Sequence, residues 1–417
     1  MKVSGLSIFG PLLALAWLLA ACAPSTAFGP SPAPTNGPAG PPLPTAQVRQ
    51  GSGGLSCPDP FGGEEIAFSL AGWSETDFCQ HSVDIGEIVP GGQPRDGIPP
   101  IESPAYESVD SASAWMGDGW PVLALVGSDE VFGYPLPILL WHEVVNTIVD
   151  GVPVAITYSP MSGSARAFAG RGLSGTPFVF GTTGNLRFGN SILYDRSSAS
   201  WWQQLSGEGI IGELTGSSLG ALPTQVLAWS DFRAEYPRAR VLSRATGAVR
   251  EYGTSPYAGL DDSGDLPGLL RSFVPGEVDG RLRPMARVTA LPLDGGAVAF
   301  PFGELSTARV VNDEADGQPV VVFWGAGAVS LTDAARVDES RDVGSSGTYR
   351  RDLAGQVFTF EWTEGEIRDR ETGSSWSLAG RAVAGPLEGQ QLTRLVSVEA
   401  YWFAWSAIFP ETRIWAP

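Results

Sequence analysis

The chain repeats itself. Val122 to Leu125, Gly133-Tyr134-Pro135, Val144-Val145-Asn146 and Asp150-Gly151-Val152-Pro153-Val154 return 166 positions later as Val288 to Leu291, Ala299-Phe300-Pro301, Val310-Val311-Asn312 and Asp316-Gly317-Gln318-Pro319-Val320. Further on, Asp195-Arg196 and Trp202 align with Asp369-Arg370 and Trp376. After one small deletion, Gly212-x-Leu214-x-Gly216, Trp229 and Tyr236-Pro237 align with Gly385-x-Leu387-x-Gly389, Trp402 and Phe409-Pro410. So many collinear matches with one shift read as a tandem duplication. Copy one then spans 105–245, copy two 283–417, with a connecting loop at 246–282 and an N-terminal segment at 55–104. Such a chain must build one outline twice.

That outline is read from periodicity. PVLALVGSDEVFGYP (Pro121 to Pro135) alternates around a polar turn and predicts a β pair. ILLWHEVVNTIV (Ile138 to Val149) predicts a short helix, and GVPVAIT (Gly151 to Thr157) the strand after it. Glycine-rich hairpins follow, as in PFVFGTTGNLRFGNSILYDR (Pro177 to Arg196). TQVLAWSDFRAEYP predicts a helix capped at Thr224 and stopped before Pro237, and VEAYWFAWSAIFP its counterpart in copy two. With 53 glycines and 34 prolines between short strands, the expected fold is α+β and predominantly β. The two pseudo-repeats are expected to pack as one compact unit.

The first residues, MKVSGLSIFGPLLALAWLLAAC, read as a secretory signal peptide whose small residues precede Cys22, as in a bacterial lipobox. The expected product is lipidated on Cys22 and held at the cell membrane or outer membrane, extracytoplasmic, without spanning it. An uncleaved transmembrane anchor is the alternative, but the apolar run is short of the ~20 residues a span needs. Residues 23–54, rich in Pro, Gly, Ser and Thr, read as a disordered tether. In an exported chain Cys57 and Cys79 are most simply a disulfide, with two free thiols as the alternative.

Composition then narrows the chemistry. Lys2 is the only lysine, and the only histidines are His81 and His142. Lysine Schiff bases and His- or Cys-rich zinc cages are excluded for the mature chain. The net charge of −19 argues against nucleic acid as a partner. No cofactor or metal is implied.

The duplication also works as a filter, because features in both copies belong to the shared scaffold. Asn146 with Asn312, Ser164 with Ser330, Trp202 with Trp376, and the Asp-Arg pairs read as structural, with Asp-Arg as a turn ion pair. His142-Glu143 faces Ala308-Arg309 in copy two, Tyr158 to Ser162 faces Trp324 to Ala328, and Arg166 faces Thr332. The candidate pocket is therefore His142, Glu143, Tyr158, Ser159, Ser162 and Arg166. The plainer alternative has His142 capping or packing within its helix and the serines closing a turn. No G-x-S-x-G elbow frames a nucleophile. Asp261-Asp262 reads as a solvated loop, with a calcium site as the alternative. Trp201-Trp202 and Trp402 with Trp405 either fill the core or stack on sugars.

RDGIPPIESP (Arg95 to Pro104), YPLPILLWHEVVN (Tyr134 to Asn146), PVAITYSPMSGSA (Pro153 to Ala165), LYDRSSASWWQQLSGE (Leu193 to Glu208) and YWFAWSAIFPETRIW (Tyr401 to Trp415) resemble a bacterial family, domain of unknown function 3179. In many relatives the stretch matching Tyr158 to Ser164 resembles Tyr-Cys-Pro-Leu-Cys-Gly-Ser, a plausible thiol or soft-metal loop. Here Ser159 and Ser162 replace both sulfurs. The resemblance implies a degenerate former thiol or metal site, and supplies a family rather than a function. Together with the lipobox it makes the expected protein a lipoprotein that binds or supports without catalysis. The partner would be a small ligand, a glycan or an envelope protein. The alternative is an enzyme or a redox or metal-handling accessory using His142 with the serine loop.

Overall fold

The computed structural model describes Cys57 and residues 59–63, 65–171, 175–261 and 265–417. Cys22, the signal segment 1–22, the tether 23–54 and Asp262 lie outside them. The described chain is predominantly β, with six short α-helices among many strands.

Apolar runs buried on both faces build the first sheet. Pro121–Val126 pairs antiparallel with Val131–Pro135 and, on its other edge, with Thr224–Ala228. Arg240–Leu242 then joins Val131–Pro135 in parallel, and Tyr106–Ser108 closes the edge. In the second half Val398–Tyr401, Arg287–Leu293, Gly296–Pro301 and Thr412–Ile414 line up in the corresponding order, with Thr412–Ile414 again parallel to its neighbour. A second sheet in each half follows a short helix: Val144–Val149, Val152–Ser159 and Ser164–Ala169 in one, Val310–Ala315, Gln318–Gly325 and Ser345–Arg350 in the other. A third sheet carries Phe180–Arg187, Asn190–Asp195 and Trp201–Gln203 in the first half. Its counterpart carries Phe360–Thr363, Glu366–Asp369 and Ser375–Trp376.

Two expected helices are shorter than the sequence pattern implied. The helix expected over Ile138 to Val149 occupies Leu136–His142, and Val144–Val149 is a strand. Glu143 stops the helix at φ 55, its N–H donating to Leu139 O at 2.7 Å, and Arg309 does the same at φ 62. Beyond it the β-branched run Val144-Val145-Asn146-Thr147-Ile148-Val149 suits a pleated surface and pairs with Val152–Ser159. The helix expected from Thr224 begins at Trp229, because Thr224 to Ala228 satisfies its backbone on Pro121–Val126. The helix expected in VEAYWFAWSAIFP likewise splits into strand Val398–Tyr401 and helix Trp402–Ile408.

Matched residues do matched work in the two halves. Asn146 donates to Phe180 O at 2.9 Å and accepts from Phe180 N at 2.8 Å. Asn312 does the same with Phe360, at 2.7 and 2.9 Å. The Asp-Arg expectation needs correction. Asp195 is buried and accepts from Ser198 N at 2.7 Å and Trp202 Nε1 at 3.0 Å. Arg196 turns away to Asp96 and Glu102. Asp369 likewise accepts from Thr372 N and Trp376 Nε1, while Arg370 pairs with Glu361. A buried carboxylate gains more from several N–H donors than from one solvated guanidinium across a turn.

Trp201, Trp202, Trp402 and Trp405 are fully buried, which leaves no face for a sugar. Trp201 packs on Phe68, Trp73 and Phe78 of the N-terminal segment, which the Cys57–Cys79 disulfide closes with Cα atoms 5.8 Å apart. Asp261, expected to be solvated, is buried between Arg287 and Arg341, each at 2.6 Å. Two cations offset its desolvation and hold its carboxyl below the usual range, although burial is the largest single influence and acts upward.

Candidate functional site

Strand alternation decides which of the six candidate side chains meet. Along Val152–Ser159, Thr157 and Ser159 share one face and Tyr158 points to the other. All three are buried. The Thr157 and Ser159 face looks onto Asn190–Asp195 and the segment after Trp202. The Tyr158 face looks toward the second half.

On the first face, Ser159 Oγ accepts from Ser191 N at 3.0 Å and lies 3.1 Å from Ser191 Oγ. Ser191 Oγ is 3.0 Å from Glu143 Oε2. A serine hydroxyl has one proton. Ser191 Oγ shares that proton between Glu143 Oε2 and Ser159 Oγ, so the three side chains form one cluster centred on Ser191. Desolvation pushes the Glu143 carboxyl up to about 7, with the Ser191 hydrogen bond opposing.

Ser162 belongs to a second, adjoining network. Its hydroxyl lies 2.9 Å from Ser164 Oγ and accepts from Asn190 Nδ2 at 2.9 Å. Gln204 Oε1 accepts from Ser164 Oγ and Asn190 Nδ2, both at 2.8 Å, and its amide reaches Thr157 Oγ1 at 2.9 Å. Asn190 Oδ1 accepts from Gln203 Nε2 and Leu205 N. Ser159 and Ser162 each show 0% exposure, so neither hydroxyl is presented to a substrate.

The remaining candidates lead elsewhere. His142 Nδ1 lies 2.8 Å from Pro99 O, an acceptor, so that nitrogen carries the proton. Its Nε2 lies 2.7 Å from Tyr252 OH. Burial lowers the imidazole pKa and so favours the neutral ring. It bonds to neither serine. Behind it, Tyr252 lines an open cleft of about 570 Å³ with Trp115, Arg244 and Arg250. Arg166 is buried over the Phe168 ring and donates to Leu205 O, and burial brings its pKa down to about 10. Tyr158 is pushed well above its usual range by burial and by Tyr401.

The structure thus joins Glu143 and Ser159 through Ser191, sets Ser162 beside them, and keeps His142, Tyr158 and Arg166 apart. Sequence reasoning missed Ser191, Asn190, Gln203 and Gln204. The same comparison of copies could have found them. At the offset that aligns Asp195 with Asp369 they face Gly365, Glu364, Ser377 and Leu378.

One part of the arrangement is reachable. Glu143 and Ser191 form a wall of a cavity of about 120 Å³, together with Met161, Thr182, Asn185 and Tyr257. A carboxyl poised near neutrality beside a hydroxyl can bind a cation or exchange a proton.

Residues 95–412 match the family described as Protein of unknown function (DUF3179). The chain belongs to that family. No curated protein and no solved structure matches it. In this DUF3179 member the Tyr158 to Ser164 loop ends the central strand of the second sheet and is closed from the far side by Tyr401, whose N–H donates to Ser162 O at 2.9 Å.

Proposed function

We propose that this DUF3179 member is a lipid-anchored, extracytoplasmic protein that binds rather than catalyses, its serine loop a filled-in descendant of a thiol or metal site. On this reading it arose by tandem duplication, and only the first copy kept a recognition surface. The observation that carries it is the complete burial of Ser159 and Ser162 within a network that uses both hydroxyls. Hydroxyls match the size of thiols but resist ionisation, form no disulfide and hold soft metals weakly. His142, the base a hydrolase would need, spends both ring nitrogens on Pro99 and Tyr252.

The test has two arms. A Ser159→Cys/Ser162→Cys variant should form a disulfide under mild oxidation or retain Cu(I); an inert pair of thiols overturns the descent. A fluorophosphonate probe should leave the wild-type chain unlabelled, and stoichiometric labelling of Ser191 or Ser159 overturns the non-catalytic reading. The anchor is checked separately by palmitate incorporation, expected to vanish in Cys22→Ser.

A further inference from the structure

The Glu143 carboxyl has no cation beside it. Its Oε2 takes one hydrogen bond, from Ser191, and among the described residues no arginine, histidine or lysine lies within ion-pair distance. The side chain is more than nine-tenths buried yet lines a cavity. Burying a charge costs several kcal/mol unless it is paired. Other interior carboxylates of this chain are better supplied: Asp261 has two arginines and Glu235 has Arg381, Asp195 and Asp369 each take several N–H and O–H donors, and Glu399 takes two from Ser346.

The lining explains what would complete the pair. Thr182 spends its hydroxyl proton on Ile98 O at 3.0 Å, and Ser191 shares its own between Glu143 and Ser159. Both hydroxyl oxygens are therefore left as acceptors. The Met161 thioether adds a weak acceptor and Tyr257 an electron-rich ring. Ile98, Leu186 and Ile192 supply an apolar side. The Gln93 and Asn185 amides complete the lining and can accept as well as donate. With the Glu143 carboxylate as the one charged group and an aromatic ring beside it, the wall matches a ligand that donates and carries positive charge. At about 120 Å³ the space is several times what one water needs. It suits a cation of a few heavy atoms. The net charge of −19 favours the approach of cations over anions.

We propose that the cavity between the Glu143 and Ser191 wall and the Tyr257 ring binds a small organic cation, a primary ammonium or guanidinium group, whose charge pairs with the Glu143 carboxylate. This deepens the reading of the chain as a binding protein and rests on it. Binding holds Glu143 ionised. Tyr257 is the one other titratable side chain lining the cavity, and burial, then Glu143, raises its pKa, so it stays neutral alongside.

Calorimetric titration of the full folded chain with methylammonium, ethylammonium and guanidinium, and with acetamide as a neutral match in size, tests this. Saturable binding is expected for at least one cation and not for acetamide, weakened tenfold or more in Glu143→Gln. Met161→Phe, which fills the cavity and leaves the carboxyl in place, should weaken it as strongly, and covers the case in which Glu143→Gln does not fold. Absence of saturable cation binding to the wild type overturns the proposal. So does a folded Glu143→Gln or Met161→Phe that binds the cation as tightly as the wild type, or acetamide binding as tightly as the cations. Fluorophosphonate labelling would end the non-catalytic reading by itself, and the titration would still decide this inference.

Discussion

The main-chain N–H of Tyr401 donates to the carbonyl of Ser162 at 2.9 Å, so the turn that ends the central strand of the first half is closed by the second half. Gly163 makes this contact possible. It sits at φ 64, and a Cβ there would lie 2.9 Å from the Tyr401 ring. Gly163→Ala therefore combines a left-handed backbone with overpacking, and should cost about 2–4 kcal/mol. A lowered urea midpoint at unchanged slope is the expected result. A midpoint equal to wild type would show that the Tyr401 ring yields freely.

Asn146 and Asn312 offer a comparison within one molecule. Each bridges both backbone groups of a phenylalanine, Phe180 or Phe360. Truncation to alanine leaves an N–H and a carbonyl unpaired, at about 1–3 kcal/mol for each group kept from water. Asn146 is buried and Asn312 half-buried, so water can rescue the second site. Asn146→Ala should lower the melting temperature more than Asn312→Ala, and the reverse order would contradict the burial argument.

Much of this fold could be read from the chain because its signals are local. The β pair at Pro121 to Pro135 and the hairpin through Phe180 to Asp195 declared themselves by alternation and turn residues. The helices at Leu136–His142 and Trp229–Glu235 were misjudged in extent because an apolar run carries no period that separates strand from helix. What settled them was pairing with a distant strand, which only tertiary structure supplies. The site was half legible. Glu143, Ser159 and Ser162 stood out because the aligned positions of the second half, Arg309, Gly325 and Ala328, differ, but Ser191 reached Glu143 and Ser159 across 48 and 32 residues of sequence. Tyr158 and His142 stood out equally and point elsewhere, because sequence adjacency on a strand or at a helix end puts neighbours on opposite faces.

The Cys57–Cys79 disulfide spans 22 positions and holds the segment whose Phe68, Trp73 and Phe78 pack on Trp201. On the loop-entropy account the crosslink contributes about 3 kcal/mol. Reduction should destabilise that segment first. Hydrogen exchange is expected to rise across residues 65–90 and at Trp201 while the strands around Asn312 keep their protection. Uniform loss across both halves would mean that the segment and the second half unfold as one.

Two acids, the buried Glu143 and the half-buried Glu399, set an unusual pH dependence. Burial pushes Glu143 and Glu399 each up to about 7; Glu399 is partly compensated by Ser346, whose N–H and Oγ lie 2.9 and 3.0 Å from its Oε1. A carboxyl whose folded pKa exceeds its unfolded value, 4.5, binds its proton more tightly in the native state. Its stabilisation is fully present below 4.5 and is lost as pH rises through about 7. Each acid should then withdraw on the order of 3 kcal/mol across that window. His142 works in the opposite sense, since burial lowers its pKa and favours the folded state above its unfolded value, 6.5. The acids are therefore isolated by difference. Unfolding free energies of wild type and Glu143→Gln/Glu399→Gln, measured from acid to mildly alkaline pH, should diverge as pH rises, with the variant gaining on the wild type. A pH-independent difference would mean that both carboxyls ionise inside the fold as readily as in water.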